Sequence, residues 1–226
     1  MAVKSGRAVL VGPMFKSEED LSGVIKSISF SSKDYVVAID RGVEICAKAG
    51  LRPDMAVGDW DSIISRQSLI KVPHITLPRD KDRSDTFYAA CAATNLRCNL
   101  VKELVCIGVT GGRGDHHLAT LFDLSELSSS GHFKRVCAID NDCEYHFLSD
   151  KIKSWDARLK VGQIVSVFAF GGQTKGVLLS GFKYQVRGRT LSPSSHGLSN
   201  LATGKRCHVK LKEGRLVVLM PKNLYA

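Results

Sequence analysis

Acidic residues all but vanish from the last third of this chain. From Lys151 to Ala226 only Asp156 and Glu213 stand against fourteen lysines and arginines. The first 150 residues carry the reverse balance, 20 acids to 18 bases, so the net charge of +10 joins a mildly acidic part to a strongly basic one. A basic module suits a polyanion such as nucleic acid, a membrane surface or a phosphorylated small molecule; scattered lysines also simply solubilise an exposed β surface. Long apolar runs are missing too. Val161–Thr174 is among the longest uncharged stretches, yet Gly and Gln interrupt it and it falls short of a membrane span, which excludes a membrane protein of the helical kind. The opening MAVKSGRAVLVGPMF has no apolar core followed by a small-residue cleavage site, so no signal peptide is expected. There is no CxxC pair, and seven cysteines are an odd number, which argues for reduced buried thiols rather than a disulfide framework. A cytoplasmic protein is expected. In the basic part Phe168, Phe170, Phe182, Tyr184 and Tyr225 are spread out rather than clustered, unlike a base-stacking platform, so nucleic acid is not the expected partner.

What is present is ordinary globular composition, 44% apolar and 24% charged, in a chain of 226 residues that can hold one large domain or two modest ones. The first part alternates. Apolar runs at Arg7–Gly12, Tyr35–Asp40, Asp54–Asp59, His74–Pro78, Glu103–Val109 and Arg135–Asp140 read as strands. Between them Glu18–Phe30, Arg41–Gly50, Ser84–Leu96 and His116–Leu127 read as helices, with Ser84 as an N-cap. Continuous apolar strands separated by helices predict a mostly parallel sheet covered on both faces, an α/β/α arrangement. After about Asp150 the helices stop. Runs such as QIVSVFAF and RCHVKLKEGRLVVLM, broken by Gly, predict an all-β sandwich, with a hairpin turn at Glu213-Gly214. The expected domains are therefore residues 1–150, α/β, and 151–226, all-β.

Ligands of a parallel sheet collect beyond the carboxyl ends of its strands. Several acidic or glycine-rich signals fall at such ends: Asp40, then VGDWDS at Val57–Ser62, then KDRSD at Lys81–Asp85, then TGGRGDHH at Thr110–His117. In VGDWDS two carboxylates sit two residues apart and raise each other's pKa unless a cation lies between them. A solvated turn is one reading and a divalent metal the other. Magnesium, a hard cation taking oxygen ligands and substrate phosphates, suits Asp59, Asp61 and Asp85, whereas Asp82 fits better as a helix cap. The Gly-rich loop runs into a helix, so its backbone N–H groups and Arg113 can face phosphate. His116 and His117 are adjacent and project differently, so each reads as a positioning or surface residue rather than half of a metal pair.

These segments, in this order, resemble the thiamine pyrophosphokinase family along nearly the whole chain. AIDRG at Ala38–Gly42, PDMAVGDWDS at Pro53–Ser62, KDRSD and TGGRGDHH are joined by GFKY at Gly181–Tyr184 and GLSN at Gly197–Asn200. VGDxDS with a downstream TGGRxDH is a specific combination. The resemblance implies transfer of the pyrophosphoryl group of ATP to thiamine, with Mg²⁺ as cofactor, in a homodimer whose active site lies at the subunit contact. Carried over by position, Asp59, Asp61 and Asp85 are the catalytic, metal-holding residues. Nucleotide contacts are implied for Asp40, Lys81, Thr110 and Gly111, and for Gly112, Arg113, Asp115 and His116. Tyr184, Ser199 and Asn200 are implied at thiamine; without the resemblance Tyr184 reads as a half-buried strand tyrosine. The chain departs from the family pattern at Arg41, where Gly is usual, and at His117 and Thr120, where Thr and Asn are usual. Two alternatives stand beside this reading: a basic nucleic-acid-binding protein, and a catalytically dead paralogue that binds nucleotide or thiamine.

Overall fold

The alternation in the first part of the sequence folds as a parallel sheet. In the computed structural model of the chain, residues 6–96, 100–204 and 206–222 are described. They form two units, one holding the chain up to Asp123 together with Ala138–Asn141, the other Leu124–Cys137 and the chain from Asp142 onward.

In the first unit β1 (Gly6–Val11), α1 (Glu18–Ile28), β2 (Tyr35–Ile39), α2 (Gly42–Lys48), β3 (Met55–Gly58), β4 (His74–Thr76), α3 (Asp85–Leu96) and β5 (Val101–Ile107) follow one another. The strands lie in the order β5-β1-β2-β3-β4, every neighbour parallel. Two further elements, α4 (Gly114–Ser129) and β6 (Arg135–Ile139), are each divided between the units. Local chemistry explains the elements. Ser17 caps α1 by accepting from the Asp20 N–H at 3.2 Å, Glu18, Glu19 and Asp20 face the positive end of the helix dipole, and Leu21, Val24 and Ile28 are its buried stripe. YVVAI of β2 is buried throughout, as a strand covered on both faces must be. Helix α3 packs on β1, β2 and β3 through Ala89, Ala90 and Ala93, all with no exposed surface, so small side chains let the helix approach the sheet. Its cap is Ser84, whose Oγ accepts from the Phe87 N–H at 3.2 Å, and not Asp82.

The second unit continues with β7 (Cys143–Ser149), β8 (Ser154–Arg158), β9 (Ile164–Ala169), β10 (Thr174–Ser180), β11 (Val186–Leu191), β12 (Asn200–Leu201), β13 (Arg206–Lys210) and β14 (Arg215–Pro221). They make two antiparallel arrays, β12-β9-β14-β7 and β11-β10-β13-β8. Leu148, Val165, Val167, Leu216 and Val218 from one array meet Val177, Leu179, Cys207 and Val209 from the other in a shared core. Strand β7 precedes the charge switch near Asp150, yet it pairs along its full length with β14.

One turn differs from expectation. Glu213-Gly214 does not close a hairpin, because β13 pairs with β8 and β10 while β14 pairs with β7 and β9. The turn carries the chain from one array to the other. Gly214 has φ +101° there, and a Cβ would lie 2.7 Å from the Gln173 carbonyl oxygen. The two sheet faces dictate the pairing, which a turn signal alone does not encode. Tyr225 lies outside the described residues. No helix among the described residues is long and apolar enough to cross a membrane.

Candidate active site

Strands β2 and β3 end side by side in the first unit, and their ends carry the carboxylates. Asp40 closes β2 in a left-handed conformation, φ +49°, which Asp tolerates better than most residues. Its N–H donates to the Val57 carbonyl at 2.9 Å. Its carboxylate accepts from the Trp60 N–H at 3.1 Å and from the Ser62 hydroxyl. Gly58 makes this closure possible, since a Cβ there would come within 2.9 Å of the Asp40 Cα.

Asp59 follows at once. Its Oδ1 accepts from the Asp61 N–H at 3.3 Å and its Oδ2 from the Lys81 ammonium at 2.6 Å. Lys81 also stands 3.4 Å from Oδ1 of Asp85, the first residue of α3. The electrostatics follow from these contacts. Burial disfavours the charged form of Asp59, but Lys81 and the Asp61 amide outweigh it, so the Asp59 carboxyl lies below its usual value. Burial likewise works against the charge of Lys81, and the two carboxylates beside it raise its pKa instead. For Asp85 burial prevails over the Lys81 charge, the negative charges of Asp59 and Asp40 add to it, and the carboxyl is raised. Asp85 Oδ1 is buried and has no hydrogen-bond partner among the described residues.

Asp40, Asp59 and Asp61 each offer a carboxylate oxygen within 4.8 Å of the other two. Three like charges at that range, with all-oxygen donors, fit a hard divalent cation such as Mg²⁺. Asp40, read from the sequence as a nucleotide contact, joins this group; Asp85 faces it across Lys81.

The Gly-rich loop begins at buried Thr110, whose hydroxyl donates to Asp140 Oδ2 at 2.6 Å. Gly111 and Gly112 both have positive φ, and a Cβ on Gly112 would meet Met14 Sδ at 2.8 Å. The Gly111 N–H donates to His117 Nδ1 at 2.9 Å, so one of the three residues that depart from the family pattern closes the loop onto α4. Arg113 forks onto Asp115 through Nε at 3.1 Å and Nη2 at 2.6 Å, and this pairing brings the Asp115 carboxyl down to about 2. The N–H of exposed His116 donates to Asp115 Oδ1 at 3.0 Å. Asp140 escaped the sequence reading, although it ends an apolar run as Asp40 does.

Arg41 takes ordinary helical angles, φ −60° and ψ −6°, at the start of α2, so a side chain is accommodated without strain. Gly42 is the position that admits none: a Cβ would lie 1.9 Å from the Val11 carbonyl oxygen.

The second unit brings Tyr184, Ser199 and Asn200 together. Buried Asn200 accepts from the Tyr184 N–H at 3.0 Å and donates to the Tyr184 carbonyl at 2.7 Å, so it holds that backbone while Tyr184 as a whole stays 61% exposed. Ser199, at φ +55°, donates its N–H to Ser166 Oγ at 3.0 Å. Gly197 packs so tightly that a Cβ would lie 1.7 Å from the Val167 carbonyl oxygen.

Comparison with known proteins places these motifs. Residues 28–136 match the family model for the thiamin pyrophosphokinase catalytic domain, and residues 154–216 match that for the thiamin pyrophosphokinase vitamin B1 binding domain. No curated protein matches the chain significantly. Among solved structures, thiamine pyrophosphokinase from Bacillus subtilis superposes with a TM-score of 0.77 at 21% identity, covering 97% of this chain and 100% of its own. A thiamin pyrophosphokinase family protein from Enterococcus faecalis gives 0.77 at 23%, covering 96% and 99%, and thiamin pyrophosphokinase from Candida albicans 0.74 at 14%, covering 98% and 90%. At these identities the superpositions establish the fold, α/β with a parallel sheet first and antiparallel sheets after it. The two matched models follow one another over most of the sequence and contain the VGDWDS, TGGRGDHH and GLSN segments, so the chain belongs to the thiamin pyrophosphokinase family.

Proposed function

We propose that this pyrophosphokinase transfers the terminal pyrophosphoryl group of ATP to the hydroxyethyl oxygen of thiamine, giving thiamine diphosphate and AMP. The thiamine oxygen forms a bond to the β-phosphorus, the bond from that phosphorus to the α-phosphate oxygen breaks, and the hydroxyl proton is released. Phosphoryl-type transfer asks a protein chiefly for positioning and charge neutralisation. The observation that carries the reading is the acidic group at the ends of β2 and β3, with Lys81 hydrogen-bonded to its Asp59.

In this reading Asp59 and Asp61, with Asp40 beside them and Asp85 facing them, hold Mg²⁺, which when bound neutralises phosphate charge. Lys81 takes phosphate oxygens as well as steadying Asp59. Thr110, Gly111, Gly112, Arg113, Asp115 and His116 position the nucleotide, and Arg113 exchanges its fork on Asp115 for phosphate when ATP arrives. Residues 1–150 supply the nucleotide side. Residues 151–226 supply the thiamine side, where the exposed Tyr184 ring offers a face to a cationic heteroaromatic ring, with Ser199 and Asn200 near it. A cytoplasmic homodimer with the active site at the subunit contact completes the proposal. The family match favours this over the nucleic-acid reading of the basic surface.

The test is incubation of purified protein with thiamine, ATP and Mg²⁺, followed by phosphorus NMR. AMP with thiamine diphosphate is the expected outcome. ADP with thiamine monophosphate overturns the reaction type, and thiamine binding without turnover identifies a non-catalytic paralogue. Mass measured by light scattering tests the dimer.

A further inference from the structure

Trp60 stands between the two aspartates of VGDWDS in a left-handed conformation, φ +64°. That region is unfavourable for a bulky side chain and persists only where the surroundings over-determine it. Here they do. Trp60 is 8% exposed, although the adjacent Asp61 is exposed. Its Nε1–H donates to Thr76 Oγ1 at 2.8 Å, and the His74 ring meets it edge-on, at 5.7 Å and 89°. Thr76 pairs with Gly58 in the β3–β4 register, one residue before Asp59. The ring is thus tethered sideways to β4 at the level where the acidic turn begins. From the same residue the backbone N–H donates to Asp40 Oδ1 at 3.1 Å.

We infer that Trp60 is a positioning residue: its tether to Thr76 holds the left-handed turn that gathers the carboxylates of Asp59 and Asp61 with that of Asp40. The inference rests on the reading that these three carboxylates hold a divalent cation. The physical reason is repulsion. Without a bound metal ion Lys81 offsets only part of the mutual repulsion of the three carboxylates, and the turn that carries two of them must also be held from outside. A buried indole with its one donor satisfied is a stiff handle, and its removal frees the turn to open while leaving the ligand atoms chemically intact.

The test uses Mn²⁺ alone, with no nucleotide, and reads free Mn²⁺ by electron paramagnetic resonance. Native protein is compared with Thr76→Val, Trp60→Phe, the double variant and Trp60→Gly, with the thermal midpoint of each measured in parallel. Thr76 is exposed and valine matches its shape, so that variant folds. Thr76→Val and Trp60→Phe are each expected to weaken Mn²⁺ binding by about tenfold, the lower end of what outer partners of metal ligands carry. The double variant loses no more than either single one, because both remove one link. Trp60→Gly weakens binding at least as far, although glycine suits the backbone angle better. Unchanged affinity in Thr76→Val and Trp60→Phe overturns the inference while the metal reading stands. So does a lowered midpoint with native affinity, since it marks a merely structural role. Absence of Mn²⁺ binding by the native protein overturns the metal reading and the inference with it.

Discussion

The ammonium group of Lys81 donates to Asp59 Oδ2 at 2.6 Å, and both side chains are close to nine-tenths buried. One cation thereby steadies a carboxylate that also faces two others. Asp59→Asn is expected to lower turnover by about 10³-fold or more, as loss of charge-positioning groups does in phosphoryl transfer, with an unchanged circular dichroism spectrum. Lys81→Met is expected to lower kcat by about 10²-fold, the scale of one lost charge-stabilising donor. Release of AMP measures both, and near-native rates in Asp59→Asn would remove that residue from the metal site.

Arg41 and Gly42 are expected to respond oppositely. Arg41→Gly leaves turnover largely intact, because the arginine occupies ordinary helical angles at the start of α2 and its side chain caps no helix N–H. A collapse in ATP affinity would instead make Arg41 a phosphate ligand. Gly42→Ala forces a methyl group against the Val11 carbonyl and destabilises by roughly 3 kcal/mol, the upper end of usual overpacking costs. The urea midpoint reports the loss.

Asn200→Ala leaves the N–H and carbonyl of Tyr184 without the partner that now serves both. About 2–3 kcal/mol of stability is expected to go with them. The Michaelis constant for thiamine rises by more than that for ATP, because the Tyr184 ring loses its fixed backbone. Equal changes in the two constants would separate Tyr184 from thiamine binding.

Glu144 provides a pH-dependent test in the β unit. The His146 imidazole, with Nε2 at 3.5 Å, outweighs burial there; Lys222 at 3.8 Å and the Arg135 charge add to it, and the carboxyl falls below its usual 4.5. A depressed carboxyl stabilises the fold above its unfolded value and loses that contribution as pH falls through the folded one. Glu144→Gln therefore costs up to about 1 kcal/mol at pH 7, where a partly exposed pair counts for little more. The gap between native and variant urea midpoints shrinks below about pH 4. A gap independent of pH assigns the cost to packing alone.

Much of the fold is legible in the sequence. Tyr35–Ile39 has five consecutive apolar residues, too few for a helix and rich in β-branched side chains, which suits a strand buried on both faces, and the Ser84 cap announced α3. Asp40, Asp59 and the TGGRGD loop were visible as strand-end signals because parallel strands all deliver their carboxyl ends to one edge. The Glu213-Gly214 turn was legible as a turn and illegible as a connection between sheets.

Local chemistry therefore determined the elements, the charge switch and the carboxylates at the strand ends, since propensity, capping and periodicity act over a few residues. Tertiary structure alone decided that Asp40 joins Asp59 and Asp61, that Lys81 bridges Asp59 and Asp85, and that His117 takes the Gly111 N–H. It alone gave Trp60, an unremarkable letter in VGDWDS, its tether to Thr76. Such contacts, whether they span four residues as in Lys81–Asp85 or 22 as in Lys81–Asp59, depend on how the chain turns and on the register of neighbouring strands, and no local pattern encodes a distance.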